Sequence, residues 1–148
     1  MRYYEDIEVG DPRRLGSVTV TREEIIRFGQ RYDPQPFHVD PAAAAESPFG
    51  DVIASGWHTA AMCMRVLVDA FLAETAALGA LGVDELRWPT PVRPGDTLTV
   101  ESEVLEKRPS ESDPDRGVVR SALSAENQDG ETVIRWEAVV LVARAPDG

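Results

Sequence analysis

The second half of the chain alternates between apolar and polar positions with the period of two that is typical of β-strands. The alternation is clearest at Leu98, Val100 and Val104, which it places on one face of a strand. Turn-forming sequences interrupt the pattern, and Asp129-Gly130 is of the kind that joins the two strands of a hairpin. We therefore predict four strands, at residues 86–92, 97–107, 117–127 and 132–144.

The first half carries helix signals instead. Thr21 and Glu24 have the spacing of a capping box, and the helix that they begin must end before Pro34. Asp40 and Pro41 are typical of an N-cap and a first helical position, and they predict a second, shorter helix that reaches residue 46. A proline-rich connection separates these two helices.

The segment from residue 57 to about residue 77 is predicted to be the longest helix, with apolar side chains on nearly all faces. Such a helix is buried on most sides. An irregular N-terminal arm at 1–12 and a short strand at 17–20 precede it. This order of elements indicates an α+β fold in which an antiparallel sheet wraps around the central helix. A curved sheet of this kind has open edges, so we expect a homodimer or higher homo-oligomer.

Composition and charge narrow the class of protein. The 148 residues fit one domain, residues 1–148, and 43% hydrophobic content is enough to build a core. The net charge of −11 argues against nucleic acids and anionic membrane surfaces as partners, since both are polyanions. No stretch resembles a signal peptide or a membrane span, so we expect a cytoplasmic protein. The lone Cys63 excludes an internal disulfide, and its apolar neighbours predict a buried thiol.

The proline-rich connection, Tyr-Asp-Pro-Gln-Pro-Phe-His-Val-Asp-Pro at residues 32–41, is the first candidate for chemistry. Pro34 and Pro36 stiffen it, so we expect a rigid, non-helical segment on which Asp33 and His38 point to one place. A carboxylate and an imidazole held in this way can act as a general acid/base pair. The alternative is structural, because an Asp beside a Pro often only forms a turn and a lone His often only completes a hydrogen bond.

Ser55-Gly56, directly before the long helix, is the second candidate. Free amides at a helix N-terminus attract negative charge, and Gly56 has no side chain to keep a ligand oxygen away from its N–H. The alternative is that Ser55 and Gly56 only cap the helix. His58 could line a pocket or bond locally. We expect no metal site, since the two histidines lie in different local contexts and the sequence has no cysteine cluster.

A base, an acid and an amide donor together suit proton transfer next to a thioester carbonyl, which places enolate charge on the carbonyl oxygen. No serine nucleophile elbow or glycine-rich phosphate loop competes with this interpretation.

The motifs also carry a resemblance to a family. Asp-x-x-Pro-x-His-x-Asp-Pro at 33–41, followed by an alanine-rich helix, Phe-Gly and an apolar-Ser-Gly step into a long helix, resembles the MaoC-like dehydratases, which include the (R)-specific enoyl-CoA hydratases. Residues 4–11 and the Pro-Val-Arg-Pro-Gly-Asp sequence at 91–96 are similar to the family as well. The resemblance covers most of the chain and implies the hotdog fold over residues 1–148.

The resemblance implies roles for individual residues. Asp33 and His38 would activate a water for addition across the double bond of a trans-2-enoyl-CoA, or run the reverse dehydration, and the Gly56 N–H would bind the thioester oxygen. No cofactor is implied, and family members place this site at or near a dimer interface. Substrate-binding residues would be Gln35, Phe37, Ser55 and Trp57. Many hydratases have Asn at the position of Gln35 and His at that of Ser55, which bears on the acyl group accepted.

Two other functions stay open. One is an acyl-CoA thioesterase of the same fold, in which a carboxylate activates water to attack the carbonyl. The other is a noncatalytic acyl-binding subunit, although such a subunit has no use for an acid/base pair. Arg87 and Arg93 are candidates for contact with the phosphates of CoA.

Overall fold

A computed structural model describes residues 1–147. Its sheet contains five strands, all antiparallel to their neighbours, in the order β1-β3-β4-β5-β2. The strands are β1 (Gly10–Thr19), β2 (Ala77–Arg87), β3 (Thr97–Pro109), β4 (Arg116–Glu126) and β5 (Thr132–Ala143). The helices are α1 (Arg22–Tyr32), α2 (Pro36–Val39), α3 (Pro41–Ala45) and α4 (Gly56–Ala70).

The core lies between α4 and the sheet. Met62 and Cys63 of α4 are buried, and they belong to one cluster with Leu98 and Val100 of β3 and Ile134 of β5. Alternate residues of β3 therefore point inward, as the period of two predicts. This arrangement confirms the α+β class and the antiparallel sheet around a central helix.

The helix signals in the first half are confirmed. The Thr21 hydroxyl accepts a hydrogen bond from the Glu24 N–H at 3.2 Å, and a Glu24 carboxylate oxygen accepts one from the Thr21 N–H at 3.2 Å. Oδ1 of Asp40 accepts hydrogen bonds from the N–H groups of Ala42 and Ala43, and Pro41 is the first residue of α3. The last three predicted strands are also present, with ends that differ by two residues at most.

The prediction was wrong around residues 71–92. The central helix ends at Ala70, a 3-10 turn follows at Leu72–Glu74, and β2 occupies Ala77–Arg87. Only residues 86 and 87 of the predicted strand 86–92 are in a strand. Glycines at 79 and 82 disfavour a helix, and the hydrogen bonds that β5 supplies to this segment lie far away in sequence. The strand predicted at 17–20 is longer than expected, because β1 takes in part of the predicted N-terminal arm.

Two further expectations need correction. The segment 32–41 is not wholly non-helical, since Pro36–Val39 forms one helical turn. Pro36 is its first residue, a position where the missing N–H of proline costs no hydrogen bond. The central helix is buried on one side only: Trp57 and Met64 are 60% and 44% exposed. Within residues 1–147, no helix has both the length and the hydropathy to cross a membrane.

Candidate active site

Asp33 is the residue that ends α1. Its N–H donates to the carbonyl of Gly29 at 2.8 Å, and its own backbone has left the helical region, at φ −151° and ψ 68°. Pro34 cannot continue the helix, so the chain turns here and α2 begins two residues later. The Asp33 side chain is 20% exposed and faces His38.

His38 is held in place by a backbone carbonyl. Its Nδ1 lies 2.7 Å from the oxygen of Ile53, and the residue is buried. A carbonyl oxygen only accepts hydrogen bonds, so Nδ1 carries a hydrogen and the other ring nitrogen is left for chemistry. The rings of His38 and Phe37 pack edge to face, with centroids 4.6 Å apart. Ring orientation and tautomer are therefore set by the surrounding chain.

The two side chains meet at 3.2 Å, from Nε2 of His38 to Oδ2 of Asp33. Two further donors reach the carboxylate: Nε2 of Gln35 lies 2.7 Å from Oδ1, and the hydroxyl of Ser55 lies 2.7 Å from Oδ2. Hydrogen bonds from Gln35 and Ser55, followed by the charge of His38, lower the pKa of Asp33, while burial opposes them. Asp33 is therefore ionised at neutral pH, and its carboxylate oxygens can only accept hydrogen bonds.

Ser55 and Gly56 form the start of α4. The Ser55 hydroxyl is the N-cap and accepts a hydrogen bond from the Trp57 N–H at 3.3 Å. The Gly56 N–H donates to no acceptor within residues 1–147, as is usual for the first residue of a helix. This amide is thus free to bind a negatively charged oxygen.

The reason for glycine at position 56 differs in part from the one the sequence suggests. A Cβ added at Gly56 would lie 2.4 Å from Cε2 of Trp88, whose indole N–H donates to the Gly56 carbonyl at 2.9 Å. Trp88 fills the space that a side chain would need. Sequence reasoning missed Trp88 as a site residue, because it lies 32 positions further along the chain and no local pattern links it to Gly56.

These residues surround a cleft of about 350 Å³. Six of the seven predicted site residues line it: Asp33, Gln35, His38, Ser55, Gly56 and Trp57. The seventh, Phe37, does not line the cleft and packs between His38 and Phe49. Apolar and aromatic groups form the remaining wall, namely Phe49, Ile53, Ala54, Trp88, Pro91, Val92 and Val133, together with Thr59 and Thr90.

His58 lies outside the lining of this cleft. Its ring is buried and stacks on Phe28, with centroids 4.8 Å apart and planes at 9°. Burial lowers the pKa of His58, and the charge of Glu24 opposes that shift. In the described part of the chain Nδ1 has no hydrogen-bond partner. These contacts indicate that His58 has a packing role and takes no part in proton transfer.

Arg87 and Arg93 also lie outside the lining. Arg93 donates to the carbonyl of Phe49 at 2.7 Å, and Arg87 lies 3.8 Å from Glu85. Arg93 therefore fixes the loop that carries Phe49 into the cleft.

Cys63 is fully buried, and burial raises the pKa of its thiol to about 12, so it is a core residue as expected.

A second, mostly apolar cavity of about 380 Å³ lies between α4, the N-terminal arm and the sheet. Met64, Leu67 and Phe71 line it from the helix side, and Val83 and Val140 from the sheet. It shares no lining residue with the Asp33/His38 cleft.

Within residues 1–147, no three His, Cys, Asp or Glu side chains form a set that could hold a metal ion.

An antiparallel sheet wrapped around a central helix is the hotdog arrangement, which this chain shares with solved MaoC-like dehydratases and (R)-hydratases. The chain belongs to the MaoC-like dehydratase family, since the model of the MaoC-like domain matches residues 6–127.

Individual proteins support the assignment. The crystal structure of a MaoC-like dehydratase from Rhodospirillum rubrum is 46% identical, with a TM-score of 0.88 over 97% of this chain and 98% of that one. R-hydratase PhaJ1 from Pseudomonas aeruginosa is 30% identical, with a TM-score of 0.79 over 97% of this chain and 86% of that one. A relative named 3-hydroxybutyryl-CoA dehydratase, from Methylorubrum extorquens, is 32% identical over 96% of this chain and 85% of its own length.

Proposed function

We propose that residues 1–148 form one MaoC-like hotdog domain that adds water to a trans-2-enoyl-CoA, or removes it from the 3-hydroxyacyl-CoA. The observation that carries the proposal is the 3.2 Å contact between His38 and Asp33 in a cleft that also holds the free N–H of Gly56. The names of the relatives, 3-hydroxybutyryl-CoA dehydratase and R-hydratase, support the same reaction class.

The protons that Asp33 and His38, the proposed catalytic dyad, can accept and donate fit this reaction. The Nδ1–H of His38 donates to the Ile53 carbonyl, so Nε2 is the nitrogen that can exchange a proton with the substrate. Asp33 is a carboxylate and accepts a proton from water. With a proton on both nitrogens, His38 is an imidazolium beside a carboxylate, and the pair contains one acid and one base.

In the hydration direction, the water oxygen bonds to C3 of the enoyl group as Asp33 takes one of its protons. Electrons of the C2=C3 bond move toward the thioester carbonyl, and the Gly56 N–H stabilises the negative charge on its oxygen. Nε2–H of His38 then protonates C2. The proton on Asp33 passes to Nε2, which restores the starting pair. H and OH have been added, and dehydration is the reverse.

The test follows the loss of enoyl-thioester absorbance with a panel of trans-2-enoyl-CoAs, beside an assay for free thiol. We expect absorbance loss without thiol release, and at least a 100-fold lower kcat in Asp33→Asn and His38→Ala, about the size of a general acid/base contribution. Asp69→Asn is the matched control, because Asp69 is an exposed residue of α4 that pairs with Arg65.

Three results would contradict the proposal. Free thiol would indicate the thioesterase. A near-normal rate in Asp33→Asn would exclude the acid/base role of the dyad. No reaction across the panel, with enoyl-CoA still bound, would favour the noncatalytic acyl-binding subunit.

We also propose that the working unit is a homodimer paired through β2. This strand is an edge of the described sheet, and Leu78, Leu81 and Val83 are each more than half exposed on it. An exposed apolar edge is a template for pairing, and the open cavity beside it would be covered by a second copy. Light scattering should give a mass of twice 16.2 kDa. Leu81→Lys should give monomers, whereas Ala45→Lys, at an exposed residue of α3 outside the lining of this cavity, should not.

A further inference from the structure

We propose that Ser55 and Gln35 are positioning residues for the Asp33 carboxylate, and not residues that contact the acyl-CoA. The inference rests on the proposed function, in which Asp33 is the base. Both side chains line the cleft, but each directs a hydrogen at Asp33: Gln35 Nε2 at Oδ1 and Ser55 Oγ at Oδ2, both at 2.7 Å. Bonds to an ionised acceptor are short and strong, as these are.

Counting the lone pairs of the carboxylate shows what this positioning achieves. An ionised carboxylate has about four acceptor sites, two on each oxygen. Ser55 occupies one site on Oδ2, which also lies 3.2 Å from Nε2 of His38, and Gln35 occupies one site on Oδ1. Each oxygen is thus held by one hydrogen bond, which fixes the orientation of the carboxylate and leaves acceptor sites for water.

Ser55 also connects the base to the helix that carries the oxyanion donor. Its oxygen accepts from the Trp57 N–H, so its single hydrogen is free for Asp33. One hydroxyl thereby joins the end of α1, where Asp33 lies, to the start of α4, where Gly56 lies. The distance between base and oxyanion donor is set in part by this bridge.

The hydrogen bonds that Ser55 and Gln35 donate to Asp33 differ in how far they are shielded from water. Ser55 is 1% exposed, so water does not compete for its hydrogen bond, whereas Gln35 is exposed in the protomer. Shielded hydrogen bonds are electrostatically stronger and fix geometry more firmly. We therefore expect the loss of Ser55 to affect the rate more than the loss of Gln35.

The test compares Ser55→Ala and Gln35→Met with wild type, by carboxyl ¹³C NMR titration of Asp33 and by kcat and KM. A positioning role predicts a higher Asp33 pKa in both variants, kcat about tenfold lower in Ser55→Ala, and KM changed less than twofold. Ser55→Thr keeps the hydroxyl and should restore kcat. Ser112→Ala is the control, because it removes an exposed hydroxyl whose side-chain partners, Ser110 and Arg116, lie outside the cleft lining.

A raised KM with the Asp33 titration unchanged would overturn the inference. It would mean that Ser55 and Gln35 contact the substrate instead. If Ser55→Ala fails to fold, Gln35→Met at its exposed position still decides the matter. The NMR readout needs no substrate, so it reports on positioning even if the wild type proves inactive as a hydratase. Failure of the proposed function and failure of this inference are therefore distinguishable.

Discussion

The carbonyl oxygen of Ile53 lies 2.7 Å from Nδ1 of His38, and this contact decides which ring nitrogen faces Asp33. Ile53 belongs to the loop just before α4, so the same piece of chain orients the imidazole and leads into the helix start at Gly56. The His38 ring and the Gly56 amide are therefore positioned by adjacent residues of one short segment.

The tautomer of His38 is the first prediction. Since Nδ1 donates to Ile53, we expect ¹⁵N NMR to show a protonated Nδ1 wherever the protein is folded. In Asp33→Asn the Nε2 signal should change while Nδ1 stays protonated. A neutral His38 with its hydrogen on Nε2 would contradict the proton inventory of the proposed mechanism.

Gly29 is predicted to be essential for the dyad. A Cβ added there would lie 2.8 Å from Cγ1 of Val39 and 3.0 Å from Cβ of His38, so α2 would be pushed away from α1. We expect Gly29→Ala to destabilise the fold by about 1–3 kcal/mol, the usual cost of overpacking, and to lower kcat through the displaced His38. Gln30→Ala, at the exposed neighbouring position of α1, is the control for urea unfolding and for the rate.

Local signals in the sequence were sufficient for much of this site. The capping box at Thr21 sets where α1 begins, Pro34 sets where it ends, and together they put Asp33 at the helix end. The contact between Gln35 and Asp33 spans only two positions, so it was within reach of sequence reasoning.

What could not be predicted depends on contacts between distant parts of the chain. Ile53 reaches His38 across 15 positions and Trp88 reaches Gly56 across 32, and neither partner carries a motif. Likewise β2 has little strand propensity of its own, and its hydrogen bonds come from β5. Tertiary pairing overrides local preference in such a segment.

Gly56 and Trp88 should show energetic coupling. Because a Cβ at position 56 would meet the indole at 2.4 Å, we expect Gly56→Ala to cost about 1–3 kcal/mol of folding free energy. In a Trp88→Ala background the same change should cost much less, since the obstructing ring is gone. A double-mutant cycle from urea unfolding measures this difference. Equal costs in both backgrounds would mean that the clash is not what requires glycine.

His58 is predicted to make stability depend on pH. Burial holds the pKa of His58 below its ordinary 6.5, so the unfolded chain binds a proton more readily than the folded one. The stabilisation is complete above pH 6.5 and is lost as the pH falls from there toward the lowered pKa of the folded state. His58→Phe keeps a ring against Phe28 and removes the buried Nδ1 that has no partner in the described chain. We expect this variant to lose less stability than wild type between pH 7.5 and 5.5, measured by urea unfolding at both values. Equal losses would show that His58 protonates as freely in the folded state as in the unfolded one.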